Sequence, residues 1–143
     1  MKVAIGADHG AFERKSQVTQ FLRSAGHEVK DFGTYTPDSC DYPAIARSVA
    51  EAVASGEYDR GIVMCTTGIG MSIVANKVRG IRCALCCDVT SARLTREHND
   101  ANILAIGAGI IGPNLTTDIV DTFMKTGFSN EEKHVRRISQ IEQ

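Results

Sequence analysis

Arg60-Gly61-Ile62-Val63-Met64-Cys65, followed by Thr66-Thr67-Gly68-Ile69-Gly70-Met71-Ser72, is the stretch on which the fold turns. Its first part is a short apolar run without alternation, the pattern of a strand buried on both faces, as in parallel sheets. The glycine-containing turn Thr66 to Gly70 then leads into a helix expected from about Met71 to Val78. Strand, tight turn and helix together make half of a right-handed β-α-β crossover.

The same grammar extends in both directions. Upstream, Lys2 to Gly6 reads as a first buried strand. Phe12, Val18, Phe21, Leu22 and Ala25 then fall at helical spacing and stop at Gly26, a natural C-terminal cap. His27 to Gly33 reads as a second strand nearer the edge, and Thr34 to Asp41 as a loop with turn chemistry in Pro37-Asp38-Ser39. Asp41-Tyr42-Pro43 opens a helix with proline in its first turn, buried along Ile45, Val49, Ala52 and Val53 and ended by Gly56.

Downstream, Ile81 to Cys86 is expected to be the fourth strand, with a helix through Ala92 and Leu94 to about His98. Asn102 to Gly107 is the fifth strand, and Pro113 starts a helix carrying Leu115, Ile119, Val120 and Phe123. A last helix from Glu131 should turn Val135, Ile138 and Ile141 inward. With no repeat or linker, residues 1–143 form one expected domain. It is an α/β, Rossmann-like three-layer sandwich: a five-stranded parallel sheet, helices on both faces and a C-terminal helix. Ligands of such folds bind beyond the carboxyl ends of the strands. Those ends carry Asp8-His9, Asp31-Phe32-Gly33, Cys65 to Gly70, Cys87-Asp88 and Gly107.

Composition narrows the classes of function. The chain is 43% hydrophobic and 23% charged with a net charge of −1, so no long-range field draws it to nucleic acid or an anionic membrane. An anionic ligand must be held by local groups. The N-terminus turns polar too soon for a signal peptide, and no apolar run approaches the ~18 residues of a membrane span. Cys40, Cys65, Cys83, Cys86 and Cys87 have no disulfide-framework spacing. Cys83 and Cys86 form one C-x-x-C without a second pair at zinc spacing, so no metal is expected, and reduced thiols suit the cytoplasm.

Cys65 is the most informative candidate. A thiol at a strand end faces a turn whose backbone N–H groups can hold an anion and favour a thiolate over a thiol. A packed core cysteine beside a tight turn is the equal alternative from spacing alone. Three rival motifs fail: position 71 is Met where a tyrosine-phosphatase loop needs Arg, no Gly-Lys-Ser/Thr follows, and Ile73 stands where a dinucleotide fingerprint needs a small residue. Asp8 and His9 either reach a polar ligand or cap the next helix. His98, before Asn99 and Asp100, either serves a site or answers the helix dipole. Lys133, Arg136 and Arg137 read as a solvated basic face offset by Glu131 and Glu132.

Taken together, five stretches resemble the ribose-5-phosphate isomerase B family, which includes the galactose-6-phosphate isomerase subunits. They are Gly6-Ala7-Asp8-His9-Gly10, Asp41-Tyr42-Pro43, Gly56 through Ile62, Thr67 through Lys77, and Arg96-Glu97-His98-Asn99-Asp100-Ala101-Asn102, in the family's order. The resemblance implies an aldose–ketose isomerase without cofactor, converting ribose 5-phosphate to ribulose 5-phosphate through an enediolate with Cys65 as base. It implies ring opening by Thr67 and His98, and substrate binding by Asp8, His9 and Asn99. The amides of Thr66, Gly68, Ile69 and Gly70 would shelter the oxyanion, and Lys133 and Arg137 would match basic positions. It further implies a homodimer or homotetramer whose sites lie at the subunit interface.

The sequence also departs from that family. Thr66 stands for a usual glycine, Gly109 for a usual arginine, and Lys133 for another arginine, with Glu131 and Glu132 nearby. A lysine point charge does not replace a bidentate guanidinium. The alternatives are therefore allose 6-phosphate, galactose 6-phosphate or a free sugar as substrate, or a non-catalytic sugar-binding relative.

Overall fold

β1 (Lys2–Ala7) and β3 (Arg60–Cys65) lie side by side at the centre of the sheet in the computed structural model, which describes residues 1–143. β5 (Ile103–Gly107) flanks β3, while β2 (Glu28–Asp31) and β4 (Cys83–Leu85) form the edges. The order is β2-β1-β3-β5-β4, and every pair is parallel.

Side chains alternate across this sheet and both faces are covered. Val3, Ile5, Ala7, Ile62, Met64, Leu104 and Ile106 pack in one core with residues of α1 (Phe12–Ser24), α4 (Val89–Asn99) and α5 (Pro113–Lys125). Ala4, Val63, Cys65, Ile103 and Ala105 pack in the other with α2 (Tyr42–Ala54) and α3 (Ile69–Ala75). Two buried faces explain why the central strands read as continuous apolar runs, and each large aliphatic side chain buried there contributes about 1.5–3 kcal/mol.

The α2 layer sits close because β1 and β3 each carry a glycine beneath it. A Cβ on Gly6 would come within 2.7 Å of Ile45 Cγ2, and one on Gly61 within 3.1 Å of Val49 Cγ1. At that approach small residues fit best. Ala46 and Ala50 join Val49 and Val53 in the buried stripe, while Ile45 and Ala52, expected there, are only partly covered.

Other boundaries differ from expectation for local reasons. α3 ends at Ala75, not Val78, and β4 keeps three residues of the expected Ile81–Cys86. At the end of α3 the Asn76 Nδ2 donates to the carbonyls of Ser72 and Cys83, and its Oδ1 accepts from Cys83 N at 2.8 Å. Before β4, Ile81 N turns back to the Val78 carbonyl and Arg82 N donates to Asn102 Oδ1 at 2.9 Å. α6 (Glu132–Ile141) does not turn its apolar residues into this chain's core. Only His134 is buried, whereas Val135 is 49% and Ile141 58% exposed. Leu115 likewise lies at the surface.

The chain leaves β1 to one side for β2 and returns on the other side for β3. The crevice between the carboxyl ends of β1 and β3 is thus the topological switch point, where ligands of open α/β sheets bind. No helix is long and apolar enough to cross a membrane.

Candidate active site

Cys65 ends β3 with its side chain on the α2–α3 face. It is 6% exposed, yet it lines a cleft of about 420 Å³ with Asp8, Tyr42, Thr66, Thr67 and Gly70. The thiol therefore sits on a cleft floor. Its Sγ accepts the Gly68 backbone N–H at 3.0 Å, a bond stronger to a thiolate than to a thiol.

The turn that supplies this donor admits only glycine at position 68. Gly68 has φ 77°, and a Cβ there would meet the Ile106 carbonyl carbon at 2.8 Å. After it, α3 runs only seven residues, so an anion in the cleft would depend on the amides of the turn itself more than on a helix dipole. The N–H groups of Thr66, Thr67 and Gly70 donate to no group of the chain. Ile69 N is spent on Thr67 Oγ1 at 3.3 Å and Gly68 N on the sulfur.

Thr66 does add a side chain to this turn, and two glycines make room for it. A Cβ at Gly10 would run into Thr66 Oγ1, and one at Gly109 would stand 2.8 Å from Thr66 Cγ2. Asp8 performs the capping role the sequence allowed, its Oδ1 accepting Gly10 N at 2.9 Å, and lines the cleft as well. Tyr42 was not singled out from sequence as a site residue. Its ring lies over Gly70, where a Cβ would approach Tyr42 Cζ to 2.5 Å. The Asp41-Tyr42-Pro43 motif carries the signal, as a helix start and as one of the family-like stretches, but gives Tyr42 no role in the site by itself.

The remaining candidates lie elsewhere. His9 faces a larger adjoining cavity of about 480 Å³, and its Nδ1 accepts Cys40 N at 3.2 Å. His98 stacks on His134, with ring centroids 4.4 Å apart, near the α4–α6 contact. His134 Nδ1 lies 2.7 Å from Ser129 Oγ, and burial, then the neighbouring His98, lowers its proton affinity below the ordinary imidazole value. Asn99 borders a third cavity with Asn76 and Arg82. Lys133 pairs with Glu131 at 2.8 Å, which holds that carboxyl below its usual range, while Arg137 is exposed on α6. None of His98, Asn99, Lys133 or Arg137 lines the Cys65 cleft.

The other paired thiols have a different character. Burial raises the Cys83 thiol far above its ordinary value and pushes Cys86 up to about 12, which makes both poor nucleophiles. No group of three or more His, Cys, Asp or Glu side chains is placed to hold a metal ion.

Comparison with known proteins gives a consistent result. The ribose/galactose isomerase family model matches residues 3–141. Ribose-5-phosphate isomerase B of Escherichia coli is 43% identical over 99% of this chain and 97% of that protein. The galactose-6-phosphate isomerase subunit LacB of Clostridium acetobutylicum is 40% identical over 100% of this chain and 83% of its own length. The solved structure of Clostridium thermocellum ribose-5-phosphate isomerase B superposes with a TM-score of 0.97 at 52% identity, covering 99% of this chain and 95% of that one.

Proposed function

This chain belongs to the ribose/galactose isomerase family, and from that premise we propose that it interconverts ribose 5-phosphate and ribulose 5-phosphate with Cys65 as the base. The family makes it a sugar-phosphate isomerase, an intramolecular oxidoreductase. The observation that carries the assignment of Cys65 is its sulfur on the cleft floor, receiving the Gly68 N–H at 3.0 Å.

The chemistry follows from that geometry. The thiolate takes the proton from C2 of the open-chain aldose, and the electron pair of that bond moves to form the C1–C2 double bond of an enediolate. The O1 oxyanion is sheltered by the free amides of Thr66, Thr67 and Gly70. The thiol returns its proton to C1 while the O2 proton passes to O1, so that C2 becomes the carbonyl and C1 carries the hydroxyl, with no net change in atoms or electrons. Asp8, inside the cleft, and His9, beside it, hold sugar hydroxyls, and Thr67 takes part in opening the furanose ring.

His98 and Asn99, with Lys133 and Arg137, act on the cleft of a second copy in a homodimer or homotetramer. Their grouping near α4 and α6, away from the cleft of their own chain, supports this, as do the exposed Val135 and Ile141 on the same helix. The second reading is another phosphosugar, such as galactose 6-phosphate or allose 6-phosphate, or a free sugar. The reshaped wall around Thr66 and Gly109 favours keeping those substrates in the test.

The test is incubation in deuterated water with ribose 5-phosphate, allose 6-phosphate, galactose 6-phosphate, ribose and galactose. Product formation and deuterium entering beside the carbonyl are expected with ribose 5-phosphate and absent in Cys65→Ala. Exchange that survives that substitution removes Cys65 as base. Turnover confined to a six-carbon substrate replaces the ribose assignment.

A further inference from the structure

We propose that Arg14 is the group that grips the phosphate of the substrate, in the cavity that adjoins the Cys65 cleft. This rests on the isomerase reading and assigns a residue to its anion-binding half.

The cavity of about 480 Å³ is lined by His9, Gly10, Arg14, Pro37 and Ala108 among others. Its boundary with the Cys65 cleft is thin. Gly10 faces the cavity yet leaves no room between itself and Thr66 Oγ1, which is part of the cleft. Ala108 also faces the cavity, and its N–H bonds to the Cys65 carbonyl at 2.9 Å. A substrate with its carbonyl end at Cys65 therefore has this cavity as its neighbouring volume.

Arg14 is the only lysine or arginine among the residues lining either space. No carboxylate lies within ion-pair distance of it: it takes part in none of the chain's seven salt bridges. Glu13, the one acid lining the larger cavity, is exposed and makes no bond to it. The guanidinium is instead fixed by neutral acceptors. Its Nη1 donates to the Ile111 carbonyl at 2.9 Å and to Thr116 Oγ1 at 2.6 Å, and its Nη2 lies 3.5 Å from the Ala108 carbonyl.

Those bonds leave a full positive charge uncompensated and, of five N–H donors, Nε–H and one on Nη2 unspent. A phosphate monoester supplies the acceptors and the charge that match such a fork. Because the side chain is already held, binding does not have to immobilise it. Lys133, by comparison, lies outside both spaces of its own chain, and its pairing with Glu131 offsets the charge it would bring to a second copy.

The experiment compares wild type with Arg14→Gln and Arg14→Lys. Inorganic phosphate binding is measured by calorimetry, and KM and kcat are measured for ribose 5-phosphate. In Arg14→Gln, phosphate affinity should fall and KM rise by roughly ten- to a hundredfold, with kcat changed much less. Arg14→Lys should recover part of the loss. A drop in kcat with unchanged KM and unchanged phosphate affinity overturns the proposal and leaves Arg14 as a pin between α1 and the β5–α5 loop.

If Arg14→Gln does not fold, mass spectrometry of wild type treated with phenylglyoxal decides the matter. Inorganic phosphate should shield Arg14 from modification, and unshielded modification overturns the proposal. Should wild type turn over no sugar phosphate, the isomerase reading fails, while phosphate binding and its loss in Arg14→Gln still judge Arg14 separately.

Discussion

Thr66 and Gly109 occupy one small volume at the carboxyl edge of the sheet. Gly109 N donates to the Thr66 carbonyl at 2.9 Å, and Thr66 Cγ2 fills the space a side chain at 109 would need. The two residues are 43 positions apart (109 − 66), yet the identity of one limits the identity of the other.

Gly109→Ala should therefore disturb the turn that follows Cys65. We expect kcat to fall roughly tenfold and stability by about 1–3 kcal/mol, the usual cost of overpacking. Thr66→Gly in the same molecule should restore most of both losses by removing the clashing methyl. A double-mutant cycle on kcat and urea midpoint measures this; strictly additive losses would dissolve the coupling.

Gly68→Ala tests the donor to sulfur. The left-handed φ of 77° and the 2.8 Å approach to Ile106 both oppose a side chain. Strain of about 1–3 kcal/mol should move the amide away from Cys65, lowering kcat by tenfold or more. Steady-state kinetics alongside the rate of Cys65 alkylation by iodoacetamide reads the result, and unchanged values for both would show that this bond is dispensable.

A shared site predicts complementation between dead variants. Cys65→Ala and His98→Ala should each be nearly inactive alone. Refolded together as a twofold dimer, half of the molecules carry one intact site, giving about a quarter of wild-type activity. No recovery, with mixed dimers demonstrated by mass spectrometry, would place His98 in the cleft of its own chain or in none.

The buried His134 makes stability depend on pH. Its folded proton affinity lies below the ordinary value of 6.5, so below that pH the unfolded chain binds more protons. Stability is then highest above about 6.5 and declines as pH falls toward the lower, folded value. The neighbours acting on it are His98, Lys133 and Arg137, which oppose its charge, and Glu131, which favours it. Urea unfolding at pH 7.5 and 5.5 should show this loss, and His134→Gln should reduce it. His27, lowered by burial and the N-terminus, leaves a remainder of the same sign.

Arg96 should matter for folding and not for turnover. The residue is 1% exposed, with its guanidinium bonded to Asp100 Oδ1 at 2.8 Å and to the Ala101 carbonyl at 2.6 Å and Phe123 beside it. Arg96→Met leaves those acceptors unpaired, so a loss of about 2–4 kcal/mol is expected with kcat nearly intact in the folded fraction. Chemical denaturation and kinetics at low temperature separate the two.

What could be read in advance depended on how local its cause was. β1 and β3 were plain in their apolar runs, and the turn after Cys65 in its glycines. β4 is shorter than its apolar run because periodicity does not register Ile81 N turning back to the Val78 carbonyl or Arg82 N going to the Asn102 side chain. The apolar residues of α6 were visible, but the pattern cannot say whether this chain or another covers them. Thr66 reads only as a replacement of a usual glycine; the room for its side chain comes from Gly10 and Gly109, which distant segments bring against it. Arg14 gave no signal, because its partners Ile111 and Thr116 lie 97 and 102 residues away.

Asn76 has one more effect. By engaging both polar groups of Cys83, it removes a rung that the outermost strand could otherwise offer to a stranger's backbone. The sheet margin beside Ile141 thus resists indiscriminate, fibre-like stacking, even though Val135 and Ile141 stand exposed on α6.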